Sequence, residues 1–214
     1  MAPSTQPTPI RRNRGRPKIL EDEERREMVV ARAAELFTEL GYARATTEKI
    51  AARCCISKQT LYRLFPGKLA IFAAVVDAHR KVLTAVPETD EEQPLGLVLE
   101  KIFRANLDPS TGLKLARFLR GAIADSVRYP EVAEILRTHG GDRTCADLAT
   151  WLCRQAAAGR IVIIDAKAVA QMLMDMVFGA VMLKVPGELG WYRNNDRAAH
   201  IRSCISVFLH GVQI

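Results

Sequence analysis

The sequence predicts an all-α protein, and three observations support that class. Ala and Leu recur at spacings of three and four along most of the chain. Strand-like alternation is weak, and aromatic residues make up only 6% of the composition, which leaves little material for sheets. Gly and Pro punctuate the apolar runs at helix-length intervals, at Pro66-Gly67, Pro109, Tyr129-Pro130, Gly140-Gly141, Gly159 and Pro186-Gly187.

Residues 1–18 are rich in Pro, Ser, Thr and Arg, with few apolar groups to bury, and read as a disordered basic arm. The first helix begins near the acidic run Glu21-Asp22-Glu23-Glu24, which suits the positive end of a helix dipole. Val30, Ala33, Ala34 and Phe37 share one of its faces, and Gly41 is placed to end it. A second helix follows Thr46 and runs through Ile50-Ala51-Ala52; a third follows Ser57 and runs from Lys58 to Phe65. Both hydroxyl residues are good N-caps. Beyond Pro66-Gly67 a fourth helix runs through Ile71, Phe72, Val75 and Val76 to about Leu83. Pro87 to Pro94, with its cluster of acidic residues, reads as a linker. Further helical stretches are expected near 96–106, 112–128, 131–138, 142–158, 165–184 and 196–211, with Gly140-Gly141 as a helix–helix turn.

Charge divides the chain unevenly. Of the formal net charge of +7, residues 1–68 hold +6, from 14 Lys and Arg against 8 Asp and Glu. A polyanionic partner suits the N-terminal third, and a neutral task suits the rest. No apolar run approaches the roughly 20 residues of a membrane span, and Met1 to Leu20 lack the apolar segment of a secretory signal. The five cysteines form neither a disulfide framework nor a zinc spacing. A cytoplasmic protein without metal or cofactor is expected. Four scattered histidines, His79, His139, His200 and His210, suggest no catalytic constellation, so no enzyme is expected.

Two short helices joined across Arg53-Cys54-Cys55-Ile56 have the form of a helix-turn-helix. Ile50, Ala51, Ile56, Leu61 and Phe65 fall on the inward side and fix the angle between the helices. The outward side of the second helix then presents Lys58, Gln59, Thr60, Tyr62 and Arg63. Lys and Arg suit guanine acceptors, Gln suits adenine, and Thr suits a thymine methyl or a phosphate. Thr46, Thr47, Ser57, Tyr62 and Lys68 are placed to hold phosphates, aided by the free amides at each helix start.

The stretch from Val29 to Phe72 resembles the N-terminal domain of the TetR family of bacterial regulators. The matching elements are AAELFTELGY at 33–42, Thr46-Thr47, IAAR at 50–53, ISKQTLYRLF at 56–65, and Lys68. The resemblance implies a homodimer on double-stranded operator DNA, with recognition helices in successive major grooves about one helical turn apart. It also implies repression relieved by a small molecule. Residues 1–20 are then the arm, 21–68 the DNA-binding domain, and 69–214 a helical effector-binding and dimerisation domain. Two departures stand out. Cys55 occupies a turn position where the family usually has Gly, so a β-carbon enters a left-handed conformation. Leu69 replaces a frequent Glu, which removes a polar cap from the fourth helix.

In the arm, RGRP at 14–17 resembles an AT-hook, in which Arg14 and Arg16 would lie in a narrow A·T minor groove. Residues 117–136 resemble the C-terminal domain of one TetR subgroup, most clearly at Arg128-Tyr129-Pro130-Glu131. In the family these helices line an apolar pocket, for which the candidates are Phe103, Leu107, Phe118, Ile123, Trp151 and Met172, facing a hydrophobic or weakly amphipathic effector. The last two helices form the dimer interface in the family. The apolar stripes that fit are Met174, Val177, Phe178 and Val181, with Ile201, Ile205, Phe208 and Leu209. Two alternatives accompany this reading. One is a redox sensor using Cys54 and Cys55, whose thiols sit beside Arg53 and Lys58. The other is a helical carrier of a lipid-like ligand that binds no DNA.

Overall fold

A computed structural model describes residues 18–87, 93–182 and 196–212, and the described residues are helical with no strand. Helix α1 spans Lys18–Arg44, α2 Thr47–Arg53, α3 Lys58–Leu64 and α4 Lys68–Leu83. After the segment 84–94 come α5 Leu95–Ile102, α6 Pro109–Ser126 and α7 Pro130–Ile135. A π-helical turn, Leu136–Gly141, leads directly into α8 Asp142–Ala157. Helices α9 Ala166–Met182 and α10 Asp196–Val212 complete the described chain. Residues 1–17 of the basic arm, including Arg14 and Arg16, lie outside the described residues, and α1 begins at Lys18, inside the stretch expected to be disordered.

Local chemistry sets most of the boundaries. Thr46 and Ser57 are extended at the starts of α2 and α3, and each side-chain oxygen accepts from the amide three residues on, Lys49 and Thr60. Asp108 does the same for Thr111 at the start of α6, with Pro109 in the first turn. Gly41 (φ 75°) takes α1 out of regular helix, and Ala85 N–H donates to Ile102 C=O to join the end of α4 to α5. The Gly140-Gly141 pair was expected to make a turn between helices. Instead Gly141 keeps helical angles (φ −61°, ψ −57°), and the backbone widens into a π turn that runs directly into α8. Packing explains this: the π turn lies against α4, and a β-carbon at Gly140 would meet Val76 Cγ1 at 3.6 Å.

Two hydrophobic cores result. The first joins α1–α4 to α6 and α7 through Phe37, Tyr42, Leu61, Phe72 and Phe118. Its aromatic rings pack edge to face, with Phe37–Phe72 centroids at 5.2 Å and Tyr42–Phe72 at 5.3 Å. The second core joins α5, α8, α9 and α10 around Phe103, Leu148, Trp151, Leu173 and Ile201. Arg197 of α10 is buried there, donating to the carbonyls of Phe103 and Ala105 and so capping the end of α5. Among the described residues, no helix is long and apolar enough to cross a membrane.

Candidate functional site

Helices α2 and α3 meet at an angle set by buried Ile50, Ala51, Cys54, Leu61 and Leu64, with Phe65 closing the corner. The turn between them is a Schellman arrangement. Ile56 N–H donates to Ala51 C=O at 3.0 Å and Cys55 N–H to Ala52 C=O at 3.1 Å, with Cys55 left-handed at φ 53°. Gly41 also has positive φ, and Cys55 and Arg104 are the described non-glycine residues that do. The left-handed Cys55 expected from the sequence is therefore present, with its side chain exposed.

The exposed face of α3 carries Lys58, Gln59, Tyr62 and Arg63, with Thr60 half-buried. Tyr62 OH lies 3.2 Å from Thr47 Oγ1, so these two hydroxyls tie α3 to the start of α2. Two of the expected base-reading cations are already engaged. Lys58 Nζ donates to Glu48, and this hydrogen bond draws the Glu48 carboxyl down to about 2. Arg63 forms a bidentate pair with Asp22 of α1, its Nη2 at 2.8 Å from Oδ1. Arg63 thus links α3 to α1, an engagement the sequence reading missed because the partner lies 41 residues away. Arg53 likewise holds Glu39 of α1, at 2.9 Å.

Lys68 differs most from its expected role. Its ammonium sits 4.0 Å from the Tyr42 ring centroid and donates to the Tyr42 carbonyl at 2.9 Å. Desolvation holds its pKa below the usual lysine range. In this arrangement the cation caps the last carbonyls of α1. On the other side of the same residue, the Tyr42 N–H donates to Asp125 of α6 at 2.6 Å. The end of α1 is therefore clasped between α4 and α6.

Behind this unit lies a cavity of about 300 Å³. Its walls come from α4 (Val76, His79, Arg80, Leu83), α6 (Leu115, Phe118, Leu119, Ile123), the π turn (Leu136, Gly140, Gly141) and α9 (Met174, Phe178). Of the pocket residues expected from sequence, Phe118 and Ile123 line it. Phe103 does not: it packs edge-on behind Phe178, with centroids 5.9 Å apart, inside the second core. Trp151 is also second-core packing, Leu107 lies beyond α5 away from the cavity, and Met172 faces outward at 64% exposure. Apolar character marked all six, and whether such a residue faces a void or a close neighbour depends on tertiary packing.

The expected dimer residues also turn inward. Met174 and Phe178 line the cavity, while Val177, Ile205 and Phe208 are buried in the second core with Leu209 packed against it. The side chain of Val181 lies outside the described residues. Among the described residues, the large apolar side chains left exposed on α9 and α10 are Met172 and Val207.

Cys54 departs from its expected chemistry. Burial pushes the Cys54 thiol above the usual range, opposite to what a reactive thiolate needs. At the cavity, His79 presents Nδ1 to the Val75 carbonyl at 2.7 Å and stacks on Phe118 at 4.2 Å. Desolvation lowers its pKa, which keeps the ring neutral.

An N-terminal helix-turn-helix on an α-helical body is the architecture of a DNA-binding transcription regulator. Comparison with known proteins agrees. The family model for bacterial regulatory proteins of the tetR family matches residues 29–75. The model for the C-terminal domain of AefR-like transcriptional repressors matches residues 97–211. The chain belongs to the TetR family of transcriptional regulators. It is 28% identical over 193 residues to the HTH-type transcriptional activator FasR of Mycolicibacterium smegmatis, covering 86% of this chain and 79% of that protein. Its fold is similar to that of a TetR-family regulator from Mesorhizobium loti (TM-score 0.66, 20% identity, 90% and 98% of the two chains). It is also similar to the flavonoid-responsive regulator FrrA (TM-score 0.62, 25% identity, 89% and 98%). A third similar fold is that of SmeT in its triclosan complex (TM-score 0.68, 21% identity, 89% and 92%).

Proposed function

We propose that this regulator binds double-stranded operator DNA as a homodimer and is a repressor released by a small hydrophobic effector in the α4–α6–α9 cavity. In this reading residues 21–68 grip the DNA, and residues 69–214 bind the effector and dimerise. One observation carries it: Val76 and Phe118 belong to the core beneath the helix-turn-helix and also line the cavity. A ligand that displaces either side chain acts directly on the packing that orients α3. Lys58, Gln59 and Thr60 are the proposed base readers, and Thr46, Thr47, Ser57 and Tyr62 the phosphate contacts, with the arm adding minor-groove contact through Arg14 and Arg16.

Other lines support parts of this proposal. Apolar side chains dominate the cavity walls, and two proteins of similar fold are described as flavonoid-responsive and as a triclosan complex. The model matching residues 97–211 is named for repressors, which favours repression over the activation named for FasR. The outward faces of α9 and α10, bearing Met172 and Val207, are the proposed dimer surface. A cytoplasmic location follows from work on the chromosome.

Binding to duplexes selected from a random pool, followed by fluorescence anisotropy, tests the proposal. The wild-type chain should prefer selected over random duplexes by at least about a thousandfold. The Lys58→Ala/Gln59→Ala variant should lose that preference, and the apolar dye N-phenyl-1-naphthylamine should release the wild-type complex. Equal affinity for selected and random duplexes would overturn the proposal.

A further inference from the structure

The cavity wall holds one cation among its described lining residues, Arg80. Its side chain is only 14% exposed, and its single hydrogen bond runs from Nη1 to Asp147 Oδ2 at 2.8 Å. The Nε–H is out of water and has no acceptor among the described residues. A guanidinium offers five N–H donors, and leaving a charged donor buried and unsatisfied costs more than leaving a neutral one so. Asp147, nearly half exposed, is a weak holder of that charge. The other ionisable groups of the wall do not supply the missing acceptor. Asp175 lies exposed on α9 with its Oδ1 accepting from Gln171, and His79 turns Nδ1 to its own helix.

The other polar side chains of the described lining are uncharged: Gln171, whose Nε2 donates to Asp175, and two threonines. Thr144 Oγ1 donates to the Gly140 carbonyl and Thr84 Oγ1 to the Arg80 carbonyl, so both hydroxyl protons are spent on their own helices. Leu83, Leu115, Leu119, Ile123, Met174 and Phe178 supply apolar surface. A void of about 300 Å³ stands at the small end of ligand pockets and suits a body of two or three rings.

We propose that the effector is an amphipathic acid, whose apolar body fills the α6–α9 side of the cavity and whose anionic oxygen pairs with the Arg80 guanidinium, displacing Asp147. This rests on the cavity being the effector site. The charged end adds a preference among apolar compounds, because a neutral compound of the same shape still fills the cavity but leaves the buried Nε–H unpaired. Because α4 carries both Arg80 and the first-core residues Phe72, Val75 and Val76, an anion pulling on Arg80 acts on the helix beneath the DNA-binding unit.

Two dyes that share a skeleton separate the claims. 8-Anilinonaphthalene-1-sulfonate carries a sulfonate, and N-phenyl-1-naphthylamine lacks it; both brighten in apolar surroundings. The full chain should bind both, and Leu119→Trp, which narrows the cavity, should weaken both. Arg80→Met should weaken the sulfonate dye by about ten- to a hundredfold while leaving the neutral dye unchanged. Asp147→Asn, which frees Arg80, should tighten the sulfonate dye alone; a merely structural Arg80–Asp147 pair predicts no such gain. If the neutral dye binds but Arg80→Met and Asp147→Asn leave the sulfonate dye unaffected, the acid is refuted and the cavity stands. If neither dye binds, the cavity reading fails and the acid with it.

Discussion

Replacing Cys55 by Gly should stabilise the protein, which is unusual for a change inside a DNA-binding motif. The residue is left-handed at φ 53°, held there by the Cys55–Ala52 and Ile56–Ala51 hydrogen bonds that end α2. A β-carbon in that conformation costs roughly 1–2 kcal/mol. Glycine removes this cost but adds unfolded-state freedom worth about 0.4–1 kcal/mol. The side chain is exposed and its thiol free, so no packing of consequence is lost. The net expected gain is about 0.5–1 kcal/mol, which for a chain of this length raises Tm by roughly 1–4 °C. Cys55→Ala keeps the β-carbon and should change stability by less than about 0.5 kcal/mol. Urea denaturation followed by circular dichroism, at one fixed protein concentration because dimerisation would enter the balance, measures all three proteins. A Gly variant no more stable than the Ala variant would refute the strain argument.

Three further outcomes are expected. Glu48→Gln releases Lys58 and removes a negative charge from the α2–α3 face, so operator affinity should rise by about two- to fivefold in anisotropy titrations; weaker binding would count against Lys58 as a DNA contact. Met172→Asp with Val207→Glu should give a folded monomer by sedimentation and lose operator binding, since both side chains are exposed in the single chain; a persistent dimer would move the interface elsewhere. His79 is held neutral by burial, with its folded pKa below the unfolded value. The unfolded state then binds more protons as pH drops from about 7 through the unfolded value near 6.5, and stability falls by at most about 1.4 kcal/mol per pH unit until the folded pKa is passed. His79→Leu should flatten that slope in urea titrations between pH 5 and 7, and an unchanged slope would exclude His79 as its source.

What the sequence made legible was local. Thr46 and Ser57 cap α2 and α3 as expected, because an N-cap depends on one side chain and an amide three residues on. Cys55 could be placed in a left-handed turn because its neighbours fix where the turn falls. The long-range engagements were invisible. Arg63 meets Asp22 across 41 residues, and Lys68 reaches back to Tyr42 rather than out to a phosphate. The cavity was legible only at Phe118 and Ile123, since it is empty space between four separated segments. Apolar stripes on α9 and α10 read alike whether they meet their own chain or a second copy, and in the structure Val177 and Phe208 meet their own. Gly140-Gly141 misled for a related reason: the packing of the π turn on α4 keeps helical a pair that would otherwise break.

The central claim is that α3, led by Lys58 and Gln59, enters the major groove of a specific duplex. Methylation interference at guanine N7 on a selected operator tests it most directly, because N7 faces only the major groove. Two interfering patches should appear, their centres about one helical turn apart, roughly 34–36 Å. A tight, sequence-preferring complex indifferent to N7 methylation throughout its site would contradict it.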